Sequence, residues 1–460
     1  MPVPSSVLEI LNTQKVEFNI ADTEKPKNIF GIPSEASKTV VKSLILRDNE
    51  GMVQIIFPRN NIIDLDALFR KLGRQFNGLP RTELWQMISA KNLTAIPAIP
   101  CWEGMPTLVD ESLLKMDILQ LESGNAGQVL QINQTSFREM IKSSPLGTFS
   151  RPAPTLPLTT EEDQDTIVTS IQRFTHRRIR QRLDETLEMP PLPETAQRII
   201  QLRADPKADI NDLANAVELD PCLSAQVVSW AASPYYSAPG KIKSVHDAIV
   251  RVLGFDMVMN LSLGLSLGKT LAPDVMSQEQ LEQYWRESVY SAAAVEGLVT
   301  SIPRENRPAF GMAYLSGLLN NLGTMIMAEV FPPYFTNIER LSLANPHLPL
   351  ATIEASLLGV TGNQMASWLL SNWNMPQEVV VALRQQYNPE YNGEHATYSK
   401  LIYVANQMLA NRGFGRAIQT EIPAILYTDL NLDLKTAEDT IDNILESGTD
   451  LNSIANKLQN

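Results

Sequence analysis

Few side chains in this sequence are of the kinds that make or break bonds, and they are scattered. Cys101 and Cys222 stand far apart, which supports neither a disulfide framework nor a cysteine metal site; reduced thiols are the simpler reading. Of the histidines, His246 stands beside Asp247, a pairing that serves as a helix cap or core contact more often than as a catalyst. Basic residues concentrate at Arg173, Arg177, Arg178, Arg180 and Arg182, after an acidic run of Glu161, Glu162, Asp163 and Asp165. Acid at the start of a helix and base at its end complement the helix dipole, so a solvated face explains the cluster. An RNA or protein docking patch is the competing explanation. The net charge of -13 argues against general binding to a phosphate backbone, though it leaves room for a local basic patch.

The elements that must position any site fall into two kinds. At 460 residues the chain is too long for one ordinary core, and 44% hydrophobic with 19% charged residues is a globular balance. The first part, 1–142, mixes both element types. Helices are expected at 6–16, 64–72 and up to 141, and strands at 40–46, 52–57, 107–109 and 128–132, with a turn at 48–51. Such a mixture favours an α/β or α+β domain. Residues 143–160 carry Pro145, Pro152, Pro154 and Pro157 among serines and threonines, which reads as a semi-rigid linker. A connecting helix follows over 161–188.

From residue 189 onward strand signals fade, and helices are expected at 196–202, 210–217, 223–231, 245–253, 257–267, 281–300, 309–330, 353–358, 363–372, 377–386 and 398–411. A helical tail occupies 413–460, with its helix over 436–458. No repeat of fixed period emerges, so an all-α domain is expected and not a solenoid. The most membrane-like stretch, 310–331, holds Asn320, Asn321 and Glu329, which suits a buried helix better than a lipid-facing one. The first residues show no basic segment followed by an apolar core, so a soluble, cytoplasmic protein is expected.

The helical half resembles the HDOD family, relatives of the HD phosphohydrolases, over 189–412. MPPLPETAQRIIQL is similar to the family's opening Leu-Pro-x-Leu-Pro helix start, and DLANAVELDPCLSAQVVSWAA to its Asp-Pro-x-Leu segment. SPYYS, SVHDAIVRVLGFDMVMNL, AYLSGLLNNLGTMIM and NWNMPQEVVVAL follow in the family's order. An HD enzyme holds one or two metals with His, a His-Asp pair and a distal Asp. The resemblance places Glu287 at the first histidine, Asn320 and Asn321 at the His-Asp pair, Asn363 at a later histidine and Asn406 at the distal aspartate. None of His176, His246, His347 and His395 falls on a matching position. Neutral amides bind divalent metals weakly, so the resemblance implies a metal-free helical scaffold of bacterial signalling, with no cofactor.

The first part resembles the YbaK and prolyl-tRNA-synthetase-associated editing fold. SKTVVKSLILRDNEGMVQIIFPRNNIIDLDAL has that fold's strand, turn, strand and helix, with Lys42 in its Lys-Ser-Leu position; KLGRQFNGLPRTELWQMI and IPAIPCWEGMPTLVDESLL follow. The resemblance gives Lys42 a catalytic role if aminoacyl-tRNA hydrolysis is kept; a surface lysine opening a strand is the plain alternative. Where the family has the glycine of a Gly-x-x-x-Pro loop, LTAIPAIP offers Thr94 or Ala95, expected to crowd the substrate.

Together these readings describe a regulatory protein of bacterial signal transduction that is not an enzyme, a helical half binding a protein partner and an N-terminal half sensing tRNA or a small amino-acid-like ligand. Neither membrane nor DNA is an expected partner. An aminoacyl-tRNA deacylase with an accessory HDOD domain is the alternative, and a divergent nucleotide phosphohydrolase a third that the missing histidines disfavour.

Overall fold

The computed structural model describes residues 3–13, 16–22, 40–125, 127–174, 192–238, 240–271, 273–415 and 421–458. The chain forms two compact units, Met1–Leu156 with Thr336–Leu357, and Pro157–Phe335 with Leu358–Asn460.

In the first unit, α1 (Ser5–Thr13) and β1 (Asn19–Asp22) precede β2 (Val40–Asp48), β3 (Gly51–Pro58), β4 (Asn61–Ile63), α2 (Leu65–Leu72), β5 (Asn77–Gly78) and α3 (Arg81–Ser89). Then come β6 (Thr107–Asp110), β7 (Ile118–Glu122), β8 (Gln128–Asn133), α4 (Gln134–Met140), β9 (Leu146–Gly147) and β10 (Ser150–Pro152). The main sheet runs β1-β8-β7-β2-β3-β6-β9, with β5 on β2; β10 pairs with β4 in a separate ribbon. It is mixed: β2–β7, β3–β6 and β6–β9 are parallel and the hairpins antiparallel.

Strand alternation sorts the side chains onto two faces. Val41, Ile56, Val109, Leu121 and Leu130 bury one face with Val7 and Leu11 of α1 and Phe137 of α4. Leu44, Leu46, Ile55, Phe57 and Leu108 bury the other with Leu65 and Leu68 of α2, and Leu341 and Ala344 join them from far along the chain. Helix α2 is closed at both ends, by the Asp64 side chain on the Ala67 amide and by Gly73 at φ 69°.

The second unit is helical: α5 (Asp163–Phe174), α6 (Glu194–Ala204), α7 (Ile210–Glu218), α8 (Pro221–Ala231), α9 (Val245–Ala248), α10 (Phe255–Thr270) and α11 (Gln278–Ser301). Helices α12 (Phe310–Leu318) and α13 (Leu322–Val330) lead into α14 (Pro332–Ala344) and α15 (Leu350–Leu358), most of which belong to the first unit. There follow α16 (Gly362–Asn372), α17 (Gln377–Gln385), α18 (Ala396–Asn411), α19 (Ala424–Asp429), α20 (Leu434–Glu446) and α21 (Gly448–Lys457).

The fold class is as the sequence led one to expect, and several details differ. The 143–160 linker is in part sheet, because the buried Asp110 carboxylate accepts from the Phe149 amide (2.8 Å) and the Ser150 hydroxyl (2.9 Å). The helix expected over 309–330 breaks at Leu319–Asn321, and the tail helix expected over 436–458 breaks at Ser447. Of the connecting helix only Asp163–Phe174 lies among the described residues; Arg177, Arg178, Arg180 and Arg182 lie outside them, as does His176.

Candidate functional site

Each unit holds part of what the sequence pointed to. In the second unit the break between α12 and α13 presents Asn320 and Asn321 on a turn. A side chain on Gly323 would meet the Gly362 backbone at 2.5 Å, so a glycine there lets α13 and α16 touch main chain to main chain. That contact brings Asn363 to the turn. The Gln386 amide lies 3.0 Å from the Asn320 carbonyl oxygen and 3.1 Å from Asn363 Oδ1, donating toward both. Helix α11 supplies Glu287, whose Oε1 accepts from Gln283 at 2.8 Å and whose Oε2 lies 3.5 Å from the Asn321 amide. Asn320 donates to the Ser291 hydroxyl, and its Oδ1 is buried without a hydrogen-bond partner.

Glu287, Asn320, Asn321 and Asn406 line one pocket of about 40 Å³, closed by Tyr387, Leu409 and Phe414. That is room for two or three water molecules at most. Asn363 is not among the lining residues and is linked to the Asn320 carbonyl by Gln386. One carboxylate among neutral amides offers a divalent pair too little charge and no imidazole, so the residues present do not fit the metal centre of an HD phosphohydrolase. Among the described residues no three His, Cys, Asp or Glu side chains group as a metal site would require.

In the first unit Lys42 lies on β2 opposite Phe57 of β3, and hence on the face that carries Leu44 and Leu46. Its ammonium bonds both oxygens of Glu122 at the end of β7, at 3.0 and 2.9 Å. The side chains are 17% and 12% exposed. The LTAIPAIP stretch packs elsewhere on the sheet. Ala98 and Ile99 join the opposite face, and the amides of Thr94 and Ala95 donate to the Gly124 carbonyl at 3.0 and 3.1 Å. The close approach in this region is made by Gly124 (φ 98°) against Pro97 and Leu93.

The roles of two half-buried groups escaped the sequence reading. His347 is half-buried; its Nε2 is 3.0 Å from the Asn61 carbonyl oxygen, and desolvation together with the charge of Lys42 pushes its pKa far down. In the second unit Glu296 accepts from the Tyr236 hydroxyl (3.1 Å), which lies 3.3 Å from the Trp230 indole nitrogen, and burial raises the carboxyl to about 7. His246 is exposed, and the capping beside it is done by Ser244 and Asp247.

A mixed-sheet unit with a lysine on its second strand, and a helical unit with paired amides at its central turn, are the two parts of the chain, an editing fold and an HDOD fold. The HDOD domain family matches residues 189–389 and the aminoacyl-tRNA editing domain family residues 19–140. Over 100% of both chains, a protein of Marinobacter aquaeolei VT8 provisionally named for signal transduction shares 36% identity, with a TM-score of 0.83. The chain belongs to this family, in which an editing-type domain precedes an HDOD domain. An HDOD domain protein of unknown function from Geobacter sulfurreducens shares the helical fold at 18% identity, covering 64% of this chain and 99% of its own, with a TM-score of 0.50. No curated protein matches. Among the described residues no helix is long and apolar enough to cross a membrane.

Proposed function

We propose that this is a non-catalytic regulatory protein of bacterial signal transduction, working in the cytoplasm, whose HDOD half is a scaffold for a protein partner. The N-terminal half serves as a sensor of tRNA or of an amino-acid-like ligand. The observation that carries this reading is the amide-lined pocket: Asn320, Asn321 and Asn406 line it with Glu287 as its one carboxylate, a set without the charged ligands and imidazoles that a metal-dependent hydrolase needs. Such side chains can bind by hydrogen bonds but cannot activate water at a metal. The relative of 36% identity, provisionally named for signal transduction, supports the same direction.

A second reading, aminoacyl-tRNA deacylase with an accessory HDOD domain, draws on the match to the editing family and on Lys42 remaining partly open. Deacylation of mischarged alanyl-, cysteinyl- and seryl-tRNA by the full chain separates the two. Turnover near background, in a preparation without stoichiometric iron, manganese or zinc, is the expected result. Robust turnover abolished by Lys42→Ala would replace the first reading with the second.

A further inference from the structure

We propose that Thr336–Leu357 is a built-in cover over the Lys42 face of the sheet, and that His347 is its proton-sensitive latch. The meaning of the cover rests on reading Lys42 as the working residue of the editing fold; the geometry of the cover does not.

The covering segment is anchored at several separate points. Arg340 bonds the Asn77 side chain and the Phe76 carbonyl, each at 3.1 Å. Asn345 Oδ1 accepts from the Ile63 amide at 2.7 Å, while its own amide donates back to Leu341 at 2.9 Å. At Gly78 the approach is so close that an added Cβ would lie 2.0 Å from the Leu343 carbonyl oxygen. Leu341 and Ala344 complete the apolar cluster of Leu44, Leu46, Ile55 and Phe57, the face that Lys42 shares. An ordinary surface helix needs one apolar stripe to pack. This segment adds side-chain bonds to the main chain at β4 and before β5.

His347 is the weak point among these anchors. Its ring stands edge-on to Phe57, with centroids 5.3 Å apart, and Nδ1 is buried with no hydrogen-bond partner. The neutral ring satisfies Asn61 through Nε2 and leaves only a lone pair unmet. A protonated ring would bring a charge into this site, and the backbone groups of Asn61 and Arg59 that favour it are outweighed by desolvation and by Lys42. The charged groups that act on it are Lys42 from β2 and Arg59 from the β3–β4 turn, both positive. Protonation is therefore opposed in the covered state and unhindered once the segment lifts. Because the covered pKa is the depressed one, the covered state is favoured above the ordinary histidine range and loses ground as pH falls. The first pH unit below about 6.5 multiplies the ratio of open to covered by about five, and further units approach tenfold each.

Hydrogen exchange on the full chain reads this directly, because the Ile63 amide is held by the cover and the amides of β2 and β3 by the sheet. After correction for intrinsic rates, Ile63 should exchange about fivefold faster at pH 5.5 than at 6.5, while β2 and β3 stay protected. In His347→Phe, which keeps a ring and cannot be protonated, that dependence should vanish. Arg340→Ala leaves the Ile63 bond and His347 in place, and should raise Ile63 exchange about tenfold at both pH values. A flat profile in the unmodified chain, an unchanged profile in His347→Phe, or Ile63 exchanging in step with β2 and β3 would each overturn the proposal. None of these measurements reads hydrolysis, so their failure is distinct from a failure of the Lys42 reading, which the deacylation assay decides.

Discussion

Glu296 carries a testable charge. Its folded pKa, about 7, stands above the ordinary glutamate range because burial penalises the carboxylate, with the Tyr236 bond pulling the other way. A raised carboxyl contributes stability that is complete below pH 4.5 and lost as pH rises through 7. Unfolding of the full chain should therefore show up to about 3 kcal/mol of stability lost between pH 4.5 and 8 from this group. Glu296→Gln should flatten that loss, and denaturant midpoints measured at both pH values would reveal a variant that behaves no differently. At this scale the sequence announced residue types but not partnerships. Lys42 and the amides at 320, 321 and 406 could be singled out from their neighbours in the chain. Glu122 as the partner of Lys42 lies 80 residues away, and nothing local to either residue joins them.

Among the elements, the start of α5 is held by one buried pair. Arg384 of α17 bonds Asp163 at 2.5 and 3.0 Å and reaches the carbonyls of Pro157 and Thr159, while Gln364 of α16 donates to the same carboxylate at 2.7 Å. With exposures of 7% and 11%, removing one charge strands the other. Arg384→Met should cost about 3–5 kcal/mol, and Arg384→Met with Asp163→Leu distinctly less, as a double-mutant cycle in urea would measure. A double variant whose loss equals the sum of the two single losses would mean that the pair is not coupled. Elements with one dominant signal were legible: β2 and β3 are dense apolar runs around a turn. Strand β7 was missed because ILQLE is short and half polar, and α14 because it opens on Pro332-Pro333. The break at Asn320 was hidden because the apolar run continues on both sides, and the side chains that bond the turn, Glu287, Ser291 and Gln386, lie outside that run.

For the whole molecule, the order of the two folds was legible and the membership of 336–357 was not, since nothing in a helical sequence states which neighbour will cover it. This changes what cleavage should do. Residues 157–162 are exposed, whereas Phe149 and Leu156 are buried, so limited proteolysis should cut within 153–162 and spare the strands before it. The two fragments should nevertheless co-elute in size exclusion, because the first retains its contacts to Thr336–Leu357. Fragment 1–156 expressed alone should bind a hydrophobic dye through the bared Phe57 face, and a compact, dye-free fragment would contradict this.

The same arrangement sets a timetable on the ribosome. The strands that bear Phe57 are made early, yet the helices that cover them are encoded after residue 335. At about 5–20 residues per second, some ten to forty seconds separate the emergence of the sheet from that of its cover. During that interval an apolar sheet face is open to chaperones or to a neighbouring nascent chain, so synthesis speed through the helical half becomes a determinant of yield.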